Sequence, residues 1–367
     1  MAKYEVLVYS KDGLPMGNIF SLCRNFKWSK TRNEAESVSF DLDLADYEQY
    51  IEAIGFGADP LEFMEVGRND IRIKRNGVWL LGTNIIKFGY APDDPGVKLE
   101  VAATGYLNYY KRRYANIAYT NTPQEDILWG VIDACNQVNG GDYGIRRGTH
   151  RGGTVLRQRN QVRKEVKSFF QQMAQVIGGP DFEFTADKLL NTFEAIGVYR
   201  KDLRLVYPGN IASFNFGRSV EKVSNFIYGI GSGNGEDAVQ AESEDASSED
   251  YLYRREQIIT YNSVVEESTL QENIDAVKHY AADPIELPTV TVEDGVLDLS
   301  VVGIGDTLPL EMHGSKSLAH INGNYRIESI DCSVDENGSE TTDLTFDNID
   351  INAIISMQDV GGSGDAN

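Results

Sequence analysis

Four histidines, His150, His279, His313 and His320, are the side chains best suited to general-base or metal chemistry near neutral pH. Their separations give no H-x-x-x-H pair, and His313 and His320 sit in a glycine- and serine-bearing stretch, the ordinary place for exposed polar residues. A dinucleotide loop needs glycines in the order G-x-G-x-x-G ahead of a helix. Gly229, Gly231, Gly233 and Gly235 miss that order, because Asn234 stands where the third glycine belongs and an acidic run follows. The acids between Asp331 and Glu340 match a calcium loop only in part. Its twelfth position, counted from Ser333, is Leu344 instead of a bidentate glutamate, so a hairpin turn at Asn337-Gly338 explains them better. Cys23, Cys135 and Cys332 lack C-x-x-C spacing and read as buried thiols. No G-x-S-x-G elbow, Walker loop or zincin pattern occurs, and no carboxylate pair can be singled out among 56 acids. The sequence therefore assigns no catalytic, cofactor-binding or metal-ligating residue and predicts a protein that is not an enzyme.

What the chain carries instead is a strand pattern written twice. Phe26, Trp28, Lys30, Val38, Phe40 and Leu42 align without a gap on Phe214, Phe216, Arg218, Phe226, Tyr228 and Ile230, at an offset of 188 residues. Val66-Gly67-x-x-Asp70 recurs as Val302-Gly303-x-x-Asp306 at an offset of 236, and Gly82 with Ile86 recurs as Gly323 with Ile327 at 241. Order is kept while spacing grows, so the second copy contains an insertion between strands. The aromatic positions Phe26, Trp28, Phe214 and Phe216 alternate with polar residues, which predicts inward-facing core in both copies and not a carbohydrate platform.

Between the copies the apolar period changes. Thr122-Pro123-Gln124-Glu125 is a capping box with proline at the first helical position, opening a helix with Ile127, Leu128, Val131, Ile132 and Cys135 on one face. Val162, Val166, Phe169, Phe170, Met173, Val176 and Ile177 predict a second helix after a basic loop, ended by Gly178-Gly179-Pro180. In the first copy, Val38 to Leu44 alternate as a strand, Asp46 to Ile54 suit a short helix, and Asn76-Gly77 marks a tight hairpin. Later, Leu270, Ile274, Val277 and Ala281 form a helix face with Ser268 or Thr269 as cap. The tail from Gly361 to Asn367 is expected to be disordered.

Length and charge narrow the class. A chain of 367 residues exceeds one ordinary core, and 41% hydrophobic content excludes wholesale disorder. The net charge of −22 disfavours nonspecific binding to nucleic acid. Charge is also uneven. Arg146 to Lys167 holds eight bases and one acid, Glu236 to Asp250 holds seven acids and no base and reads as a linker, and Ile327 to Asn367 holds ten acids and no base. Such polarity suits contacts between subunits. No basic leader with an apolar core opens the chain and no run reaches membrane-spanning length, so the expectation is a protein made in a cytoplasm without membrane insertion.

The Phe26-Lys27-Trp28-Ser29 strand with its Val38-Ser39-Phe40 partner, the Tyr207-Pro208-Gly209-Asn210-Ile211 entry, and Gly305-Asp306 followed by Gly323-Asn324-Tyr325-Arg326-Ile327 resemble the tail-tip hub proteins of long-tailed bacteriophages. That group includes the contractile-tail baseplate hub, the siphophage minor tail hub proteins and the N-terminal part of tail-associated lysins. The resemblance implies a mixed α+β, β-dominated fold with two similar β-barrel domains, at 1–105 and at 206–232 with 290–350. A middle α+β domain would occupy 106–205, an inserted loop and helix subdomain 233–289, and a flexible tail 351–367. It implies a homotrimer whose six barrels form a pseudo-sixfold ring at the distal end of the virion tail. The ring would adapt a sixfold tube to a threefold tip and let the genome pass, with a preference for noncontractile tails. Implied partners are a distal tail protein or tube ring, a tip or fibre protein, the tape measure protein, and DNA sliding through the lumen in host entry and genome ejection. No cofactor is implied. Longer members append a peptidoglycan-cleaving domain; this chain ends soon after its second copy, so lytic activity is not carried over. A carbohydrate- or cell-wall-binding tip protein is the alternative, and a cell-wall hydrolase a more distant one.

Overall fold

A computed structural model of the chain describes residues 2–347 except 58, 94, 95, 152, 154, 176, 177, 222, 234, 262, 263, 266 and 287. The expected disordered tail lies outside the described residues. Alternation of apolar and polar residues builds the first strands: β1 (Tyr4–Tyr9), β2 (Pro15–Asn18), β3 (Arg24–Thr31) and β4 (Ser37–Asp43). In β4, Val38, Phe40 and Leu42 are buried while Ser37 and Ser39 face outward. Helix α1 (Leu44–Ala53) begins where the Asp43 carboxylate accepts from the amides of Ala45 and Asp46, and α2 (Pro60–Phe63) follows. Then come β5 (Asp70–Arg75), β6 (Val78–Asp93) and β7 (Gly96–Gly105). Asn76 and Gly77 both take positive φ, 51° and 78°, as a tight hairpin turn requires.

The middle of the chain departs from its sequence pattern in two places. It comprises β8 (Tyr114–Pro123), α3 (Gln124–Asn136), β9 (Arg146–Arg151), β10 (Leu156–Glu165), α4 (Val166–Gln175), β11 (Asp181–Phe184) and β12 (Leu189–Phe193). Thr122 is not a cap: it belongs to β8, pairs with Arg157, and its hydroxyl donates to the Thr120 carbonyl, while Pro123 stands at the cap position. Val162 is not helical either. It lies on β10 at 78% exposure, in the irregularity between Gln161 and Lys164 where the ladder to β8 shifts register, and the helix starts only at Val166. The basic stretch is thus largely strand, where a loop was expected.

The chain continues through β13 (Leu205–Tyr207), β14 (Ser213–Asn215), β15 (Arg218–Ser219), β16 (Phe226–Ile230), β17 (Gln240–Glu244), α5 (Ala246–Leu252), β18 (Glu256–Thr260) and α6 (Glu267–Ala281). It closes with β19 (Ile285–Glu286), β20 (Thr289–Glu293), β21 (Thr307–Met312), β22 (Gly323–Val334) and β23 (Glu340–Asp347). Among the described residues two compact units result, one within 2–174, 178–214 and 290–345, the other within 175, 215–289 and 346–347.

In the larger unit one sheet of 13 strands runs β14-β20-β23-β22-β3-β4-β7-β6-β5-β1-β2, with β21 and β13 branching from β22. Both copies share it through the β3 to β22 ladder, where Trp28 opposes Cys332 and Phe26 opposes Val334. The family resemblance implied two barrels; among the described strands this path ends at β14 and β2 without pairing them. A separate core around Tyr106, Tyr110, Ile117, Leu128, Phe169 and Phe170 fills the middle segment.

The duplication survives in strand order but not in the register that the sequence suggested. The run β5-β6-β7-β4-β3 has its counterpart in β21-β22-β23-β20-β14. The counterpart of β4 is therefore β20, with Val290 and Val292 buried, and Phe226–Ile230 belongs to the other unit. Phe214 and Phe216, expected inside, are only half-buried. Alternation specifies a face, not a partner, so a strand of the insertion can mimic the missing one. In the hairpins, the Gly67 amide donates to Ile85 O at 2.7 Å and the Gly305 amide to Ile327 O at 2.9 Å. Ile85 N then reaches Asn69 O at 3.1 Å and Ile327 N reaches Asp306 O at 2.8 Å, so Gly67 matches Gly305, not Gly303.

Both glycines take positive φ, +75° and +82°, but their surroundings differ. A Cβ at Gly67 meets nothing within 4 Å, whereas one at Gly305 would collide with the backbone of Ile196. Gly67→Ala is expected to cost about 1–2 kcal/mol of left-handed strain, and Gly305→Ala that amount plus about 1–3 kcal/mol of overpacking. Equal losses for the two in urea denaturation would contradict the closer approach of Ile196 at Gly305.

In the smaller unit, β17-β16-β18 form a sheet whose one face is covered by α6, with Ile227 and Ile259 against Leu270, Ile274 and Val277. The acidic run is ordered here as β17 and α5, with the Asp245 carboxylate capping α5 through Ser248 N. Ser268 and Thr269 lie inside α6, which begins at Glu267.

Candidate interaction surfaces

Buried charges in the larger unit join segments far apart in sequence. Arg32 donates to Glu328 at 2.7 Å and to Asp181 at 3.1 Å, and Arg326 donates to the other Asp181 oxygen at 2.6 Å. Asn33 and the Ile196 amide complete the shell of Asp181. Burial alone would raise the Asp181 carboxyl, but Arg32 and Arg326 outweigh it and hold the group below the ordinary carboxylate range. One carboxylate thus ties the first copy, the middle segment and the second copy together.

The aspartates marked by the repeat act alike. Asp70 takes Lys188 Nζ at 2.7 Å and the Tyr109 hydroxyl at 2.7 Å; Asp306 takes Arg200 Nε at 2.9 Å and the Val198 amide at 2.7 Å. Each copy is pinned to the segment between residues 181 and 204. Arg75 completes the clamp with a two-pronged bond to Glu340, both arms 2.7 Å, while Tyr4 donates to the same carboxylate.

Glu36 behaves oppositely. Burial pushes its carboxyl up to about 7 from 4.5, with Lys30 opposing and Glu183 adding to the rise. A native value above the unfolded one means that the fold holds the proton, so its contribution is full below pH 4.5 and is lost as pH rises through about 7. Glu36→Gln is expected to be more stable than the parent at pH 8 by at most about 3 kcal/mol, with no advantage at pH 4. Parallel stability profiles for the two proteins across that range would refute it.

Two surfaces of opposite sign stand out. The β8/β10 ribbon carries Arg157, Arg159, Arg163 and Lys164, and exposes Tyr114, Leu156 and Val162. On β17, Glu242 and Glu244 point outward while Ala241 and Ser243 are buried. A depression of about 520 Å³ beside them is lined by Tyr228, Ile230, Gln240, Glu242, Ile258 and Gln271. The sequence flagged both charge runs; it did not show that each forms an ordered strand.

Other residues singled out above are dispersed. His150 contacts Thr192, His313 lies 3.6 Å from Glu311, His279 is exposed, and the His320 side chain is outside the described set. Gly229 lets α6 approach: a Cβ there would be 2.8 Å from Ile274. The carboxylate of Asp335 is engaged by the amides of Asn337 and Ser339 in a hairpin turn. Cys135 and Cys332 are buried and Cys23 half-buried, all as free thiols. Among the described residues no group of three or more His, Cys, Asp or Glu could hold a metal, and no helix is long and apolar enough to cross a membrane.

No family model matches the chain, and no curated protein matches it. Solved structures do. The tail protein from Neisseria meningitidis MC58 superposes with a TM-score of 0.65 at 11% identity, covering 96% of this chain and 98% of that one. The 43 kDa tail protein of prophage MuSo2 from Shewanella oneidensis gives 0.62 at 12% identity, covering 95% and 99%. Prophage tail protein gp18 from Listeria monocytogenes EGD-e gives 0.59 at 13% identity, covering 98% and 100%. The chain has the β-dominated fold of these phage tail proteins over nearly its whole length.

Proposed function

We propose, from the tail-protein fold as premise, that the chain is a structural, non-catalytic hub at the distal end of a phage tail. Three copies assemble there into a pseudo-sixfold ring. The observation that carries this is the duplicated strand order β5-β6-β7-β4-β3 and β21-β22-β23-β20-β14 within one sheet. Two like modules per chain give six in a trimer, and closed rotational symmetry is the common solution for soluble assemblies. The copies differ where the ring must become threefold: residues 32–36 join β3 to β4, whereas 216–288 separate β14 from β20.

The buried ion pairs fit this role, because a ring that transmits load needs its modules locked together. The ring's neighbours are a distal tail protein or tube ring, a tip or fibre protein and the tape measure protein. A net charge of −22 repels DNA and favours its sliding through the lumen during ejection. The carbohydrate alternative loses half of its aromatic platform, since Phe26 and Trp28 are each 2% exposed while Phe214 and Phe216 are half-buried.

Native mass spectrometry of the purified chain, followed by negative-stain imaging, tests the assignment. The expected result is a trimer with a central opening. A monomer, alone and with the adjoining tail proteins, would overturn it.

A further inference from the structure

We propose that the β8/β10 ribbon of one copy docks on the acidic β16–β18 sheet face of a second copy of this chain. The inference rests on the trimer reading above and specifies its contact.

The ribbon is built as half of an interface. Among the described strands, β8 and β10 pair only with each other, so each has an outer edge of unpaired backbone groups. Three of its apolar residues are placed outward: Tyr114 is 62% exposed, Leu156 49% and Val162 78%. Its charge is unbalanced as well. Arg146 and Arg147 on β9 are matched by Asp142 and Asp133, but the half-buried Arg159 meets no carboxylate among the described residues. Its guanidinium instead faces Met173 Sδ at 3.2 Å and the Gln158 carbonyl at 2.9 Å, and burial followed by repulsion from Arg157 lowers its pKa. An anion supplied from outside would relieve that cost.

The smaller unit offers the complement. Among the described strands β17 pairs only with β16, and Gln271 of α6 bonds its Glu242 carbonyl, so what the sheet offers is a side-chain face and not a free edge. Glu242 and Glu244 project outward from it, and neither carboxylate meets a cation among the described residues; Lys278 bonds the Glu244 carbonyl instead. Next to them the depression exposes Ile258, 60% accessible, beside Tyr228 and Ile230. An apolar centre with an acidic rim thus matches an apolar centre with a basic rim.

The charge balance argues for a second copy as occupant. Chains of net charge −22 repel one another, so stable association needs a local contact of opposite sign. The ribbon carries Arg157, Arg159, Arg163 and Lys164 against Glu165, and residues 236–250 hold seven acids against no base.

A charge swap read by native mass spectrometry and sedimentation tests the contact. Val162→Glu with Arg163→Glu changes two exposed residues of the ribbon, and Glu242→Lys with Glu244→Lys changes two on the sheet face. Each pair is expected to weaken the trimer by at least about a hundredfold, as expected for opposed close charges, with the circular dichroism spectrum unchanged. Combining all four substitutions in one chain should restore the trimer. If the wild type is trimeric and either pair leaves it so, the docking inference fails and the hub reading stands. A folded four-fold variant that stays monomeric also overturns it. A monomeric wild type overturns both.

Discussion

Asp181→Ala is expected to lower unfolding free energy by about 3–5 kcal/mol, the scale for breaking a buried ion pair by removing one partner. The carboxylate lies between Arg32 and Arg326, with side-chain exposures of 5%, 6% and 27%. Truncation removes one of the two carboxylates that Arg32 bonds, strips Arg326 of its counter-ion and leaves the Ile196 amide without its acceptor. Asp181→Asn should fall between the two, because it keeps an acceptor for the Ile196 amide but loses the charge. The loss should be visible in urea denaturation of the isolated chain, as all these groups lie in the larger unit. A loss under about 1 kcal/mol, the level of an exposed pair, would show that the cluster is solvated.

Arg75→Met should be of similar size, about 3–5 kcal/mol, for the same reason at a different joint. Glu340, whose side chain is 3% exposed, would keep its charge with only Tyr4 to bond it. The second substitution, Glu340→Leu, should then recover most of the loss, because two apolar groups of similar volume do not carry the desolvation cost of an unpaired ion. Only a double-mutant cycle separates this from simple loss of packing. Additive losses from the two changes would mean that the residues do not act as a pair. A strong coupling would show that β5 of the first copy and β23 of the second are held by this contact.

Local patterns in the sequence were reliable where one short segment settles the matter. The alternation of Val38, Phe40 and Leu42 marks a strand without reference to anything else, and Asn76-Gly77 marks the turn from β5 to β6 through backbone angles that few residues adopt. The helix of Leu270, Ile274 and Val277 is equally plain, since one apolar stripe needs one surface to cover. The repeat was also legible, and with it the idea of a duplicated module.

Pairing was not legible. Val162 fits a helical stripe by spacing, yet it lies on a strand because β8 pairs with Gln161 and Lys164 on either side of it. Phe226, Tyr228 and Ile230 carry the alternation expected of the β4 counterpart, yet they pair with β17 and β18. Gly303 matches Gly67 by its neighbours in sequence, whereas Gly305 matches it by hydrogen bonds. Of the candidate surfaces, the charge runs could be counted along the chain, but the outward aim of Glu242, Glu244 and Val162 could not.

The sequence by itself determined that the protein is a β-dominated duplication with separated basic and acidic segments and no motif of a known catalytic site. Composition, alternation and spacing are local quantities and survive without a fold. Only the tertiary structure decided that both copies lie in one sheet, that the insertion spans β14 to β20, and that Asp181 joins three segments. Those facts depend on which strand edges and which buried charges meet, and a chain specifies such encounters only through contacts between residues far apart in sequence.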